Sequence, residues 1–192
     1  IVANRVAKWN GSSWSALGSG IGGTGSGGSN PYVNALAVSG NDLYVGGYFT
    51  NAGGILANRI AKWDGNSWSA LGSGMNGGVF GLAAIGSDVY AGGDFNSAGG
   101  IAAARIARWN GSNWTAVGLG LDSVVFAVAA SGSDLIVGGN FVTATNSNNQ
   151  VITVNSIARW DGNNWTPLDL GMNGNVSALA VSGNEVYAGG QF

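Results

Sequence analysis

Short apolar runs alternate with clusters of glycine, asparagine, aspartate and serine along the whole chain. Residues 79–84 and 89–95 are two such runs, and residues 85–88 between them carry a turn signal. Runs of this length between turn residues are typical of β-strands, and no segment keeps a helical period. The pattern predicts four strands per unit, named a, b, c and d, which here are residues 79–84, 89–95, 104–109 and 114–117. A loop, residues 96–103, connects strand b to strand c.

The predicted four-strand unit occurs four times, and each copy has one tryptophan ending strand c and another opening strand d. The pairs are Trp9 and Trp14, Trp63 and Trp68, Trp109 and Trp114, and Trp160 and Trp165. They follow one another about every 50 residues, which is typical of propeller blades and other repeat arrays. The c–d turns begin with Asn-Gly or Asp-Gly, and we expect these dipeptides to supply the positive φ of tight hairpins.

Composition narrows the possible partners. Charged residues make up 8% of the chain, the net charge is −2 and the sequence pI is about 4.7, so we expect no nucleic-acid partner. No apolar stretch approaches the ~20 residues of a membrane span, so we expect no membrane insertion. Glycine is abundant, at 36 residues, but with only 2 prolines and no triplet period it indicates turns rather than collagen.

The chain contains no cysteine and no histidine. This excludes disulfides, thiolate nucleophiles and histidine general bases from this sequence. No pair of carboxylates, phosphate-binding loop or combination of nucleophile and base is recognisable either. We therefore expect no catalytic residue, no metal site and no cofactor, and we predict that the chain is not an enzyme.

Three motifs of the second unit carry a resemblance to a known family: Y-V-G-G at residues 44–47, R-I-A-K-W-D-G at 59–65 and S-W-S-A-L at 67–71. They resemble the kelch repeat, in which a diglycine ends strand b and a tryptophan opens strand d. The resemblance covers essentially the whole chain. It implies an all-β, kelch-like β-propeller of four-stranded antiparallel blades in a single domain, residues 1–192. Bacterial secreted and surface proteins with kelch-like or galactose-oxidase-like propellers are similar, which implies an extracellular or cell-surface location.

The chain departs from the family in two respects. Tryptophan stands where strand c usually has tyrosine, and Ser156 replaces the strand-c arginine in the fourth unit. The copper chemistry of galactose oxidase needs tyrosine, histidine and cysteine ligands, and two of these residue types are absent. The resemblance therefore implies the fold and not the oxidase activity.

The order of the strands predicts four blade equivalents, because strands c and d come first and strands a and b come last. They amount to three whole blades and two complementary halves, whose open edges would tend to pair. Three outcomes are compatible with this order. The halves pair within one chain as a four-bladed ring, or between chains in a larger ring or filament, or with flanking sequence.

Antiparallel order places the short a–b and c–d turns at one end of the predicted disc and the variable b–c and d–a loops at the other. Binding usually lies on loops that vary between repeats, with drift of unconstrained loops as the alternative. The residues predicted to bind a ligand there are Tyr32, Tyr48, Asp94, Asn140, Gln191, Arg5, Arg59 and Arg105. For the three arginines, an ion pair or the capping of carbonyl groups inside the blade is the alternative.

Two further expectations concern side chains that recur in register with the strands. The tryptophans are predicted to pack between blades, with a platform for stacking sugar rings as the alternative. The basic residues Lys8, Lys62, Arg108 and Arg159 are predicted to form local pairs with the a–b turn acids Asp42, Asp88, Asp134 and Glu185. Surface pairs of this kind contribute about 0–1 kcal/mol each.

The sequence thus predicts a non-catalytic extracellular or surface propeller that binds and scaffolds. It would meet a protein or carbohydrate partner through its variable loops, and self-associate through its open blade edges. The alternative is a fragment of a propeller enzyme whose catalytic residues lie outside these 192 residues.

Overall fold

The computed structural model describes every residue, Ile1–Phe192, and consists of short β-strands with one 3-10 helix, Ser26–Gly28. It holds no helix with the length and apolar character that crossing a membrane requires. The strands are β1 Ala7–Trp9, β2 Trp14–Ala16, β3 Ile21–Gly22, β4 Tyr32–Ser39, β5 Asp42–Tyr48, β6 Asn51–Ala52, β7 Ile55–Leu56, β8 Ile60–Trp63, β9 Trp68–Ala70, β10 Val79–Ile85, β11 Asp88–Gly93, β12 Ser97–Ala98, β13 Ile101–Ala102, β14 Ile106–Trp109, β15 Trp114–Ala116, β16 Gly120–Leu121, β17 Val125–Ser131, β18 Asp134–Gly139, β19 Thr143–Thr145, β20 Val151–Thr153, β21 Ile157–Trp160, β22 Trp165–Pro167, β23 Asn175–Ser182 and β24 Glu185–Gln191.

The predicted a–b–c–d units are confirmed as antiparallel sheets. Blade 1 has the strand order β4-β5-β8-β9, blade 2 is β10-β11-β14-β15 and blade 3 is β17-β18-β21-β22. The hairpins β1-β2 and β23-β24 form the two half-blades. The predicted strand bounds shift by at most two residues, because pairing in the sheet decides where each strand ends.

The connections between strands b and c are more ordered than the predicted loops. Residues 96–103 contain the hairpin β12-β13, and the equivalent connections contain β6-β7 and β19-β20. Two of these hairpins gain a third strand, β3 or β16, from the preceding d–a connection. Glycine pairs make the turns of β6-β7 and β12-β13 possible, since Gly99 and Gly100 have φ values of 58° and 87°. Each hairpin packs against strand d of its own blade.

The c–d turns differ from the predicted geometry. Only the glycine of each Asn-Gly or Asp-Gly dipeptide has positive φ, for example Gly65 at 99°. The residue before it acts through its side chain: the Oδ1 atom of Asp64 accepts backbone N–H groups from Asn66 at 2.8 Å and Ser67 at 2.7 Å. These hydrogen bonds lower the pKa of Asp64 because they stabilise its ionised form. The four-residue turn is therefore built on side-chain capping rather than on two residues of positive φ.

Neighbouring sheets stack with strand a of one blade against strand a of the next. Their closest approach is at the first glycine of each diglycine, where a Cβ atom on Gly46 would lie 2.5 Å from Cγ1 of Val79. Gly92 faces Val125 in the same way, and Gly138 faces Val176. The apolar core is accordingly divided into four clusters, one at each interface between neighbouring blades or half-blades. This blade-on-blade arrangement of four-stranded sheets is a β-propeller fold.

The prediction that the tryptophans pack between blades is confirmed in blades 1 to 3, where Trp63 is half-buried against the core and the others are buried. Five indoles are buried: Trp68, Trp109, Trp114, Trp160 and Trp165. The strand-d indole also bonds to the preceding blade, since Nε1 of Trp114 donates to the carbonyl of Leu71 at 2.9 Å. Trp68 and Trp165 donate to Leu17 and Val117 in the same way. Trp9 and Trp14, in the first half-blade, stay 50% and 56% exposed because no sheet covers them.

The two half-blades do not pair with each other. β1 is bonded only to β2, and β24 only to β23, so the outer edges of β1 and β24 remain open. The four-bladed ring within one chain, one of the three outcomes expected from the sequence, is therefore not formed.

The close approach at the diglycines generates a stability prediction with an internal control. Gly92→Ala should lower the free energy of unfolding by about 1–3 kcal/mol, because the added methyl overlaps the side chain of Val125. Gly189→Ala, at the same repeat position, should change the free energy of unfolding of the single chain by less than about 0.5 kcal/mol, because no atom of the chain lies within 4 Å of its Cβ position. Denaturant unfolding followed by circular dichroism measures both, and equal effects would contradict the packing described here.

Candidate functional site

The predicted strand-b residues occupy one end of the blades. Each follows a diglycine, and Tyr48 and Gln191 pair across the sheet with the first residues of strand a, Tyr32 and Asn175. Asp94 and Asn140 hold the equivalent positions in blades 2 and 3. The b–c hairpins and the d–a connections leave from this same end, which we call the variable end. The a–b and c–d turns lie at the opposite end, which we call the constant end.

A row of aromatic side chains crosses the variable end from blade 1 to blade 3. Tyr32 and Tyr48 have ring centroids 5.5 Å apart, Tyr48 and Phe80 are 6.0 Å apart, and Phe80 and Phe126 are 6.2 Å apart. These tilted contacts fall in the range that favours aromatic pairs. Tyr32 is 40% exposed, and the other three rings are half-buried. We call Tyr32, Tyr48, Phe80 and Phe126 the aromatic row.

Strand bulges bring the two phenylalanines into this row. Register shifts in strand a make Phe80 and Phe126 the extra residues of β10 and β17. A bulge re-aims the side chain that it carries, which here joins the row instead of the blade interface. Asn34 and Ser177 occupy the same bulge position in β4 and β23. The sequence analysis missed these phenylalanines, and the signal that could have found them is a bulky aromatic at a strand position where another unit has serine.

Tyr48 connects blade 1 to blade 2. Its hydroxyl donates a hydrogen bond to Oδ2 of Asp94, and the backbone N–H of Gly78 donates to Oδ1 of the same carboxylate. The Tyr48 ring lies against Gly78, where any Cβ atom would overlap it. Burial raises the pKa of Tyr48, and its hydrogen bond to Asp94 raises it further. The guanidinium carbon of Arg59 lies 5.4 Å from the ring centroid, within cation–π range.

The structure brings four of the eight predicted residues together in one cluster: Tyr32, Tyr48, Asp94 and Arg59. Arg105 adjoins it, because its Nη1 atom donates to the Asp94 carbonyl at 2.8 Å. Arg5 lies by the first half-blade, bonded to Pro31. Asn140 lines a separate groove near the second half-blade, and Gln191 is exposed on the last strand.

The strand-c arginines bond to carbonyl groups inside the propeller. Nη1 of Arg59 donates to Phe49 at 2.9 Å, and Nη1 of Arg105 also donates to Phe95 at 3.2 Å. Arg5 donates to Pro31 at 2.7 Å and to Ile21 at 2.9 Å. None of the three forms an ion pair. This is the carbonyl-capping alternative, and it leaves the Nε atoms of Arg59 and Arg105 buried without a partner.

These arginines have a backbone conformation that non-glycine residues rarely adopt. The φ angles are 67°, 68° and 69° for Arg5, Arg59 and Arg105, and Ser156 has 67° at the same position. In blades 1 to 3 the left-handed geometry lets the backbone of this residue bridge strand b, as when the carbonyl of Arg105 accepts from the N–H of Gly93 at 2.9 Å and its N–H donates to the carbonyl of Phe95 at 2.9 Å. The repeat therefore maintains a strained position at the variable end of every strand c.

The largest groove lies at the constant end. It has a volume of 740 Å³ between blades 1 and 2 and is lined by Asp42, Tyr44, Lys62 and Trp109 among others. The predicted local ion pairs are found at this end: Lys62 with Asp42 at 2.9 Å, Arg108 with Asp88 at 2.7 Å, and Arg159 with Asp134 at 2.6 Å. Lys8 and Glu185, the fourth predicted pair, lie on different half-blades and do not meet.

A second groove, of 610 Å³, lies at the variable end beside Asn140 and Ser156. Asn155, Asn173 and Asn175 contribute further amide groups to it, and Val142, Leu170 and Met172 are its apolar residues. The chain contains no cluster of three or more carboxylate, histidine or cysteine side chains that could hold a metal ion.

No protein-family model matches the chain, and no curated protein does. Similar solved structures include the WD40 repeats of RRP9, with 15% identity and a TM-score of 0.47 over 82% of this chain and 58% of that one. U3-55K has 15% identity and a TM-score of 0.49 over 84% of this chain and 60% of that one. The computationally designed Ika8 protein has 14% identity and a TM-score of 0.40 over 84% and 69%. The chain thus spans about three fifths of the first two structures.

The Tyr48–Asp94 contact generates a pH prediction. Because the folded state raises the pKa of Tyr48 above 10.0, its contribution to stability is complete below pH 10 and is lost as the pH rises further. Tyr48→Phe should cost about 1 kcal/mol at pH 7, through the lost hydrogen bond, and should make the decline above pH 10 shallower. Part of the decline should persist, because burial also raises the pKa of Tyr44 and Tyr90. Urea unfolding of the wild type and of Tyr48→Phe from pH 7 to 11 measures this decline. The same slope of unfolding free energy against pH in both proteins would contradict the prediction.

Proposed function

We propose that the chain is a non-catalytic binding and scaffolding propeller that holds a protein partner on its variable end. The observation that carries the proposal is the partly exposed aromatic row, which runs across three blades at one end of the molecule. Aromatic residues are enriched where proteins bind one another. Arg59, stacked on Tyr48, places a second residue type common in binding hot spots beside the row.

Comparison of the repeat units indicates that the fold does not require the two phenylalanines of the aromatic row. Phe80 and Phe126 occupy a bulge position that holds Asn34 in blade 1 and Ser177 in the second half-blade. A polar side chain therefore suits the fold at this position, and the two phenylalanines are not required by blade packing. Partly exposed apolar side chains that packing does not require are typical of an interaction surface.

Several finer features belong to the same proposal. The kelch-like class rests on the diglycine of strand b and the tryptophan that opens strand d, as at Gly46–Gly47 and Trp68. Extracellular or cell-surface location rests on that resemblance and on the low charge of the chain. Absence of catalysis rests on a sequence without histidine or cysteine, and the competing function is a fragment of an enzyme whose catalytic residues lie elsewhere.

Selection of a displayed peptide library on the protein tests the binding surface. Peptides that bind the wild type should lose affinity about ten-fold or more for the Phe80→Ser/Phe126→Ser variant, because stacking on both rings is lost. This variant copies Ser177 and should fold, which circular dichroism checks. Asn41→Ser, at the constant end, copies Ser87 and should bind as the wild type does. Binding that is equal in all three proteins, or hits only on a glycan array, would reject the proposal of a protein partner.

We propose in addition that the open edges join two copies of the chain. In blade 1 strand b meets strand c with Leu43 opposite Trp63, and Asp42 pairs with Lys62. The same register between β24 of one copy and β1 of another sets Val186 opposite Trp9 and brings Glu185 to Lys8. Both edges are open, and these two charges form no ion pair within the chain.

The apolar faces beside these edges also match. Leu36 on β4 is 53% exposed, whereas its equivalent in blade 2, Leu82, is 7% exposed against Gly46 of the preceding blade. Gly189 on β24 has no neighbour within 4 Å of its Cβ position. Joining two copies would place Leu36 of one against Gly189 of the other, as Leu82 lies against Gly46 and Leu179 against Gly138.

Sedimentation velocity of the 192-residue chain tests this assembly. The wild type should form dimers or larger species at micromolar concentration, and Lys8→Glu should weaken them about ten-fold by setting two acids together. The double variant Lys8→Glu/Glu185→Lys should restore association, because it re-forms the pair with reversed charges. Ser112→Glu, in an exposed turn, is the control for added charge. A wild type that stays monomeric, or a double variant that behaves like Lys8→Glu, would contradict the pairing.

A further inference from the structure

In the fourth repeat unit, whose strands c and d belong to blade 3, the strand-c arginine position keeps its backbone conformation but lacks the arginine side chain. Ser156 has φ 67°, against 68° for Arg59 and 69° for Arg105. Its backbone carbonyl accepts a hydrogen bond from the N–H of Gly139 at 3.0 Å, and its backbone N–H donates one to the carbonyl of Phe141 at 2.7 Å. The backbone of Arg105 makes the same two bonds with Gly93 and Phe95. A serine keeps this strained conformation without the guanidinium group that the other units hold there.

The carbonyl groups that receive the guanidinium elsewhere are left open in this unit. Nη1 of Arg105 donates to the carbonyls of Asp94 and Phe95 at 2.8 and 3.2 Å. Their equivalents in blade 3 are the carbonyls of Asn140 and Phe141. Phe141 accepts only the backbone N–H of Ser156, and no hydrogen bond to the Asn140 carbonyl is formed. Acceptors of suitable geometry are thus present without their donor.

A cavity occupies the place of the missing side chain. The 610 Å³ groove is lined by Asn140, Asn155, Ser156, Asn173 and Asn175, and none of the other grooves is lined by Arg5, Arg59 or Arg105. Its apolar residues, Val142, Leu170 and Met172, could pack along a methylene chain, as lysine and arginine stems do on apolar surfaces. The groove therefore combines carbonyl and amide acceptors with an apolar wall.

We infer that this groove binds the guanidinium group of an arginine side chain presented by a partner protein. Arg5, Arg59 and Arg105 are held by neutral carbonyls with no ion pair, which shows that such acceptors accommodate this group here. Lysine fits less well, because its ammonium is a compact, strongly hydrated charge without the planar fork of donors. That a partner protein presents this arginine at the variable end rests on the proposed function. That the groove binds a guanidinium group does not rest on it.

Titration of the isotope-labelled protein with N-acetyl-arginine amide, followed by amide chemical shifts, tests the groove directly. Shifts should cluster at Asn140, Ser156 and Asn173, and N-acetyl-lysine amide should bind about ten-fold more weakly, because it forms fewer of the hydrogen bonds made by a charged group. Ser156→Arg should fold as the wild type does, fill the groove as Arg105 does in blade 2, and abolish the shifts. Ser112→Arg, in an exposed turn at the constant end, should leave them unchanged.

A second arm separates free guanidinium from a peptide carrier. Peptides selected on the wild type should contain arginine, and replacing it by lysine should weaken binding to the wild type but not to Ser156→Arg. No shift with the arginine amide, equal shifts with the lysine amide, or shifts that persist in Ser156→Arg would overturn the inference. If the groove fails these tests but peptide binding still depends on Phe80 and Phe126, only the assignment of the groove is wrong. If peptide binding depends neither on the groove nor on the two phenylalanines, the proposed function is rejected as well.

Discussion

The whole arrangement depends on how closely strand a of one blade approaches strand b of the blade before it. A valine at the start of strand a sits on the first glycine of the preceding diglycine, as Val79 does on Gly46 and Val125 does on Gly92. No other residue leaves room for the valine there. The contact recurs at each interface that a diglycine reaches, the third being Val176 on Gly138. The apolar core is divided into four clusters, one for each interface, and each blade is stabilised only by its immediate neighbours.

The tryptophan pairs complete the same interface from its outer side. Each pair is a cross-strand contact between strands c and d, with ring centroids 5.1–5.6 Å apart. The indole N–H of strand d then bonds to the preceding blade, as Trp114 does to Leu71. Small glycine residues at the inner side and large indole rings at the outer side make the space between neighbouring blades wider towards the outside. Where the neighbouring sheet is missing, as for Trp9 and Trp14, the same side chains are half-exposed.

Because the interfaces between blades stabilise the fold, the residues at the two ends of the blades can differ. The constant end keeps capped turns and short ion pairs such as Lys62–Asp42. The variable end carries the aromatic row, the Tyr48–Asp94 contact and the groove beside Ser156. A single substitution within a repeat, arginine to serine, changes the surface there without changing the backbone, since φ stays near 67°. This is how a regular scaffold acquires a surface with distinct sites.

The sequence by itself determined the strand order, the blade unit and the packing of the tryptophans of the complete blades, because these follow from local patterns repeated about every 50 residues. It also indicated the variable end, and it named four residues that meet there: Tyr32, Tyr48, Asp94 and Arg59. Only the tertiary structure decided that bulges add Phe80 and Phe126 to the row, that the two half-blades stay apart, and that a groove opens at Ser156. These features depend on the register of paired strands within a blade and on the contacts between blades, and a pattern read along one strand does not contain them.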